Sequence, residues 1–292
     1  MIIPGSASQS LAAALGDELD VPLAPPDIDT FPDGELIVQV PQDVPDVVVI
    51  VSSIISTDTF LEVILLQDAA RETGARHVVT VIPYLGYARQ DRAFERGQPI
   101  SVRAVARAVS TGCDHVLTVD PHEAGVMDHF TAKAHAVSGA SVLAEPLPGD
   151  LDDPVFFAPD AGAIDLIEEV QAAYGRGDID HFEKTRHSGR DVELAPSDAE
   201  VAGRDVVVAD DIIATGGTMS QALQVLRSRD AQRVFLACVH PMFTGSAYGN
   251  LARVGPAAIF GTDTIEHIVS DVSVAPVLAD RITDLSIWDT PE

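Results

Sequence analysis

Residues 206–223 read "VVVADDIIATGGTMSQAL". An apolar run ends in Asp210 and Asp211, a short Thr/Gly stretch follows, and helical spacing resumes after it. Adjacent carboxylates repel one another and resist burial, so the pair belongs to a site rather than a core. Gly216 and Gly217 let the backbone approach a ligand closely, and Thr215 and Thr218 supply hydroxyl donors. The first amides of the helix that follows are unbonded, and the helix dipole favours an anion there. The loop from Ala214 to Thr218 can therefore cradle a phosphate, while Asp210 and Asp211 are acceptors suited to vicinal hydroxyls. A ligand with both features is a ribose phosphate. The loop is not a P-loop, since it lacks Gly-Lys-Ser/Thr.

Three further stretches carry reactive side chains. "TVDPHEAGVMDHF" (118–130) places His122 just past a strand-like run, where it reads as an active-site histidine. "FFAPDAGAIDLI" (156–167) places Asp160 before a Gly turn, either as a metal-binding carboxylate or as a helix N-cap. "HFEKTRHSG" (181–189) lies in a long polar stretch that reads as a lid or surface loop. It holds Lys184, one of only two lysines in the chain, the other being Lys133. A lysine retained on a nearly lysine-free surface has a use.

Short β-branched runs position these groups: "VVVIVSS" (47–53), "HVVTVIP" (77–83), "HVLTVD" (115–120), "DVVVADD" (205–211) and "RVFLACV" (233–239). Helical patterns lie between them, such as residues 59–74 and 218–230. The alternation predicts βαβ units, and continuously apolar strands predict a mostly parallel sheet covered on both faces. In an open sheet of this kind ligands bind beyond the carboxyl ends of the strands, where the motifs fall. The Pro/Gly/Asp-rich interval "EPLPGDLDDP" (145–154) is the expected linker.

The chain also repeats itself. Residues 47–83 overlay residues 205–241 without a gap: Val48, Ile54, Thr57, Leu65 and Pro83 fall on Val206, Ile212, Thr215, Leu223 and Pro241. "SSIISTDT" in the first copy stands where "DDIIATGG" stands in the second, so the first reads as scaffold and the second as the working site.

The 292 residues carry 45 Asp and Glu against 18 Lys and Arg, a formal charge of -27. Such a surface repels nucleic acid and anionic membranes, which excludes both as partners, and it reads as adaptation to high salt. Two cysteines make no disulfide framework, the N-terminus lacks a basic signal-peptide start, and no apolar run approaches a membrane span. A cytoplasmic location is expected.

Taken together, the motifs resemble the ribose-phosphate diphosphokinase family, the phosphoribosyl diphosphate (PRPP) synthetases, nearly end to end. The resemblance implies an α/β fold of two similar type I phosphoribosyltransferase-like domains, each a mainly parallel sheet flanked by helices, over residues 1–145 and 146–292. In "FPDGE" (31–35) it assigns Asp33, Gly34 and Glu35 to ATP, with the ring of Phe31 for the adenine; a plain Asp-Gly turn is the alternative. In "YLGYARQDR" (84–92) it assigns Arg89 and Gln90 to ATP, and a guanidinium can grip a polyphosphate bidentately. It makes His122 and Asp160 ligands of Mg²⁺, Lys184 and Arg186 the catalytic pair, and Arg186, Asp210, Asp211 and residues Ala214, Thr215, Gly216, Gly217 and Thr218 the ribose 5-phosphate site. "GTDTIEH" (261–267) resembles the family's closing strand and adds no chemistry. Many relatives carry an aspartate where this loop has Ala214, so no side chain serves there and backbone amides must hold the phosphate. The implied reaction joins ATP and ribose 5-phosphate into PRPP and AMP in a homo-oligomer. The loop alone does not separate a maker of PRPP from a phosphoribosyltransferase that uses it, or from a non-catalytic paralogue. The ATP segments and Lys184 with Arg186 point to the maker.

Overall fold

The computed structural model describes residues 1–186, 192–196, 199–285 and 287, of which 124, 183–186 and 192–196 by their backbone alone. The chain divides into two compact units. One comprises Met1–Ser138, Thr264–Glu266 and the chain from Ser273; the other comprises Gly139–Asp263 and His267–Val272.

The first unit runs β1 (Ile2–Pro4), α1 (Gln9–Leu19), β2 (Asp27–Thr30), β3 (Leu36–Gln39), β4 (Val47–Val51), α2 (Thr57–Glu72), β5 (His77–Ile82), α3 (Ser101–Val109), β6 (His115–Val119) and β7 (Lys133–Val137). Its five-stranded sheet has the order β1-β4-β5-β6-β7, parallel throughout, and β2 with β3 forms a separate antiparallel hairpin. The second unit runs β8 (Val155–Ala158), α4 (Ile164–Tyr174), β9 (Asp178–Arg186), β10 (Val192–Pro196), β11 (Asp205–Ile212), α5 (Gly217–Ser228), β12 (Arg233–His240), α6 (Ala247–Val254), β13 (Ala258–Thr262) and β14 (Ser270–Val272). Its sheet has the order β10-β9-β8-β11-β12-β13-β14, parallel except for β9 with β10. The last helix, α7 (Ala275–Thr283), belongs to the first unit.

The expected βαβ pattern is thus present twice, with β1-β4-β5-β6-β7 matched by β8-β11-β12-β13-β14. β-Branched runs such as "VVVIV" and "HVVTVI" are buried along almost their whole length, as strands covered on both faces must be. The helices over them bury equivalent stripes at i, i+3, i+4 and i+7: Val63, Leu66, Gln67 and Ala70 on α2, and Met219, Ala222, Leu223 and Leu226 on α5.

The repeat departs from the expected gapless overlay at one place. β4 and β11 align as the sequence suggests, but the stripe on α5 begins two residues closer to its strand than the stripe on α2. Strand pairing shifts equally, with Val48 opposite Val78 but Val206 opposite Val234. A shift of two preserves which face each strand residue occupies, so it is tolerated. The strand-to-helix loop is therefore tighter in the second unit.

Three other expectations are corrected. The interval 145–154 is no linker: Leu147 and Leu151 are buried, and the Tyr174 hydroxyl donates to the Pro148 carbonyl at 2.6 Å. Its Pro, Gly and Asp content hides two core leucines. The units divide after Ser138 rather than after residue 145, and α7 returns to the first of them. The polar stretch around Lys184 is not wholly loop either. It forms β9, anchored by buried Phe182, with Lys184 opposite Leu194 and Arg186 opposite Val192. Residues 187–191, where the expected lid continues, lie outside the described residues.

Candidate active site

The strand order of the second unit reverses beside β8. After β8 the chain moves to one side to form β9 and then returns to the other to form β11. The carboxyl ends of β8 and β11 thus flank a topological switch point, the usual ligand position in such sheets. Asp160 follows β8, and Asp210 and Asp211 close β11. In the first unit the order β1-β4-β5-β6-β7 contains no such reversal.

The electrostatics there are unusual. Burial first, then the adjacent Asp211 charge and that of Asp160, push the Asp210 carboxyl up to about 8. The Asp211 amide opposes this by donating to Asp210 Oδ1 at 3.0 Å. The opposite end of the same strand gives the contrast. Asp205 is fully buried, yet Arg233 and the Asp152 amide bond its carboxylate and hold it below its ordinary value despite burial. One end of β11 carries a satisfied structural ion pair, and the other concentrates negative charge.

The loop after β11 supplies the complementary half. Gly216 sits left-handed at φ 74° as the N-cap of α5 and offers no side-chain cap. Among the described residues, no hydrogen bond is donated by the backbone amides of Ala214, Thr215, Gly216, Gly217, Thr218 or Met219. Six consecutive open amides at a helix start form an anion cradle. The equivalent helix of the first unit is capped, and among the described residues only the Thr57 and Asp58 amides are left open at its start. Ser56 caps α2 by accepting from the Thr59 amide, and the Thr59 hydroxyl accepts from the Ser56 amide. The side chains of "SSIISTDT" thus use up the capping positions that "DDIIATGG" leaves open.

Asp160 realises the N-cap reading, accepting from the Gly162 amide at 2.9 Å. Its charge also reaches Asp210, so it belongs to the acidic cluster as well. Among the described residues no three His, Cys, Asp or Glu side chains form a ready-made metal cage.

A family model described as the N-terminal domain of ribose phosphate pyrophosphokinase matches residues 1–112, and one described as a phosphoribosyl transferase domain matches residues 149–268. The ribose-phosphate pyrophosphokinase of Halobacterium salinarum is 56% identical over 97% of this chain and 100% of its own length. The chain belongs to the ribose-phosphate pyrophosphokinase family. That of Methanopyrus kandleri is 42% identical over 98% of this chain and 99% of its own. Among solved structures, the phosphoribosylpyrophosphate synthetase of Mycobacterium smegmatis superposes with a TM-score of 0.82 at 26% identity, over 97% of each chain.

In this member of the ribose-phosphate pyrophosphokinase family, the segments expected to meet ATP lie in the first unit. Phe31, Asp33, Gly34 and Glu35 form the tip of the β2–β3 hairpin. There Phe31 and Glu35 are joined by a 2.8 Å backbone bond, Asp33 Oδ1 accepts the Glu35 amide, and Gly34 takes φ 91°. The Phe31 ring is 47% exposed, so the turn displays an aromatic surface as well as turning the chain. Arg89 is exposed in the turn after β5, and Gln90 accepts the Ser101 hydroxyl at the start of α3. His122 is exposed beyond β6, two residues after Asp120, which takes a left-handed φ of 34°. The second unit brings Asp160, Asp210, Asp211 and residues 214–218 to one sheet end. The backbones of Lys184 and Arg186 lie on β9 of that unit. Sequence reasoning missed Phe243 and Thr244, which bond the back of the loop. The available signal was the string "PMFTGS" directly after β12, itself a strand-to-helix loop.

Proposed function

We propose that this chain transfers the diphosphoryl group of ATP to the C1 hydroxyl of ribose 5-phosphate, giving PRPP and AMP. The observation that carries the reading is the run of open amides from Ala214 to Met219 beside Asp210 and Asp211, matched to family membership over nearly the whole chain. The amides take the 5-phosphate, and the carboxylates of Asp210 and Asp211 accept from the ribose hydroxyls. Arg89 and Gln90 take ATP with Phe31, Asp33, Gly34 and Glu35. The C1 oxygen attacks the β-phosphorus in line, the α,β-bridging oxygen leaves with AMP, and the hydroxyl proton passes to solvent. This reaction needs placement and charge neutralisation more than covalent help. Lys184 and Arg186 supply cationic stabilisation to the transferred group.

The donor chemistry fits magnesium. Half-buried carboxylates crowded enough to raise Asp210 favour a divalent cation, and Mg²⁺ takes one or two carboxylates together with substrate phosphates rather than a full protein cage. Asp160 is the proposed ligand in the second unit and His122 in the first, and Mg²⁺ held by either would neutralise phosphate oxygens. Assembly as a homo-oligomer belongs to the same proposal.

Incubated with ATP, Mg²⁺ and ribose 5-phosphate in concentrated KCl, the purified protein should release AMP and PRPP in equal amounts. Lys184→Ala should lower turnover by about a hundredfold to a thousandfold with an unchanged melting temperature. Wild-type protein that forms no AMP would overturn the function, and a vigorous Lys184→Ala enzyme would overturn only that residue's role.

A further inference from the structure

Two carbonyls at the end of β11 are pinned by one neighbouring segment. The Phe243 amide donates to the Ile213 carbonyl at 2.9 Å, and the Thr244 amide to the Ala214 carbonyl at 2.9 Å. The Thr244 hydroxyl reaches the same Ala214 carbonyl at 3.3 Å. All peptide bonds here are trans. In a planar trans peptide the carbonyl and the following N–H point in opposite directions. Pinning the carbonyls of Ile213 and Ala214 to residues 243 and 244 therefore aims the amides of Ala214 and Thr215 away from that segment. In an extended strand, successive carbonyls alternate sides. Here two in a row face one way, so two successive amides face the other, as in the concavities that bind anions.

The pinning segment is itself held in an uncommon shape. Phe243 takes φ 35°, a left-handed conformation that phenylalanine seldom adopts. Its ring is buried and meets His267 at 4.8 Å between centroids and Tyr248 edge-on at 5.6 Å. Tyr248 and His267 meet each other at 5.5 Å, closing a three-ring cluster. Ring contacts of this kind offset backbone strain of similar size. Glycine would adopt the conformation without strain but would bring no ring to lock it.

We propose that Phe243 and Thr244 are positioning residues for the sugar phosphate: wedged by the Tyr248–His267 pair, they set the peptide planes that aim the Ala214 and Thr215 amides at it. The inference rests on residues 214–218 being the phosphate loop. It also explains how the loop works with Ala214: the residue acts through its peptide, held from behind, and needs no side chain.

The test is calorimetric binding of ribose 5-phosphate, and separately of Mg-ATP, to the full chain in concentrated KCl, with melting temperatures measured alongside. Thr244→Ala should weaken ribose 5-phosphate binding about threefold to tenfold, as expected for one hydrogen bond, and Thr244→Ser should restore it. Phe243→Leu, which keeps bulk but loses the ring contacts, should weaken it by about tenfold or more. Mg-ATP binding should not move in any of them. Gly217→Val, which places a side chain in the cradle itself, is the control for the site. Normal ribose 5-phosphate binding by Thr244→Ala and Phe243→Leu alongside failed binding by Gly217→Val would overturn the inference and leave the site standing. Normal binding by Gly217→Val would remove the site, and the inference with it. If Phe243→Leu does not fold, the Thr244 pair decides.

Discussion

Asp210 shows how a residue proposed to hold the sugar weakens the resting fold. Its carboxyl is pushed up to about 8 by burial and by its acidic neighbours, far above an unfolded aspartate. A carboxyl raised on folding contributes stability that is full below its unfolded value and is lost as pH rises through the folded one. Without ligands or metal, the protein should therefore lose stability between about pH 4 and pH 8. Asp210→Asn should raise the melting temperature at pH 8 by several degrees and leave it nearly unchanged at pH 4, measured by thermal denaturation at fixed KCl. Equal gains at both pH values would show that the carboxyl is not strained. Asp210 and Asp211 were legible in sequence because charge ending an apolar strand has few structural uses. Asp160 was not settled by sequence, since capping and metal binding call for the same residue type at the same place. Phe243 and Thr244 were invisible because what they contribute is a backbone direction, and no side-chain motif records that.

At the level of elements, α7 is fastened to β7 by a chain of neutral rings. Arg281 donates to His135 Nδ1 at 2.7 Å, which leaves His135 Nε2 to donate to His115 Nδ1 at 3.0 Å. The two imidazoles stack at 5.3 Å. Burial first, then Arg281, His115 and Lys133, push His135 down to about 4, and burial also lowers His115, with Lys133, His77 and Arg281 assisting and Asp114 opposing. A histidine depressed on folding contributes stability present above its ordinary value and lost as pH falls through the folded one. Between about pH 6.5 and 4 the attachment should weaken, and His135→Gln should flatten the fall in melting temperature across that window. An identical slope in both proteins would dismiss the attachment as a pH-sensitive contact. The five strands and two helices that the sequence singled out lie within a few residues of β4, β5, β6, β11, β12, α2 and α5, because their buried stripes repeat with the period of the element. Sequence misread 145–154 and the Lys184 stretch, where tertiary anchors, Leu147, Leu151 and Phe182, overrode a loop-like composition.

For the whole molecule, a formal charge of -27 makes salt a structural component. The Debye length falls from about 10 Å at 0.1 M to about 3 Å at 1 M, so self-repulsion between surface carboxylates fades over that range. The melting temperature should climb with KCl, most steeply below about 1 M, and level off beyond it. A curve flat from 0.1 M upward would remove salt adaptation from the account. The duplicated architecture was half legible, since the repeated strand and loop appear in sequence while the two-residue tightening of the second loop appears only in pairing register. The capped start of α2 and the open start of α5 then take on a further meaning. Natural drift rewards any serine or threonine that completes a helix, because such changes stabilise wherever they are tolerated. A chain with one copy of this fold would have to forgo that repair to keep its function. Here the cap is complete in one copy and absent from the other, the pattern expected if duplication frees one loop to stabilise the fold and leaves its twin open for a ligand.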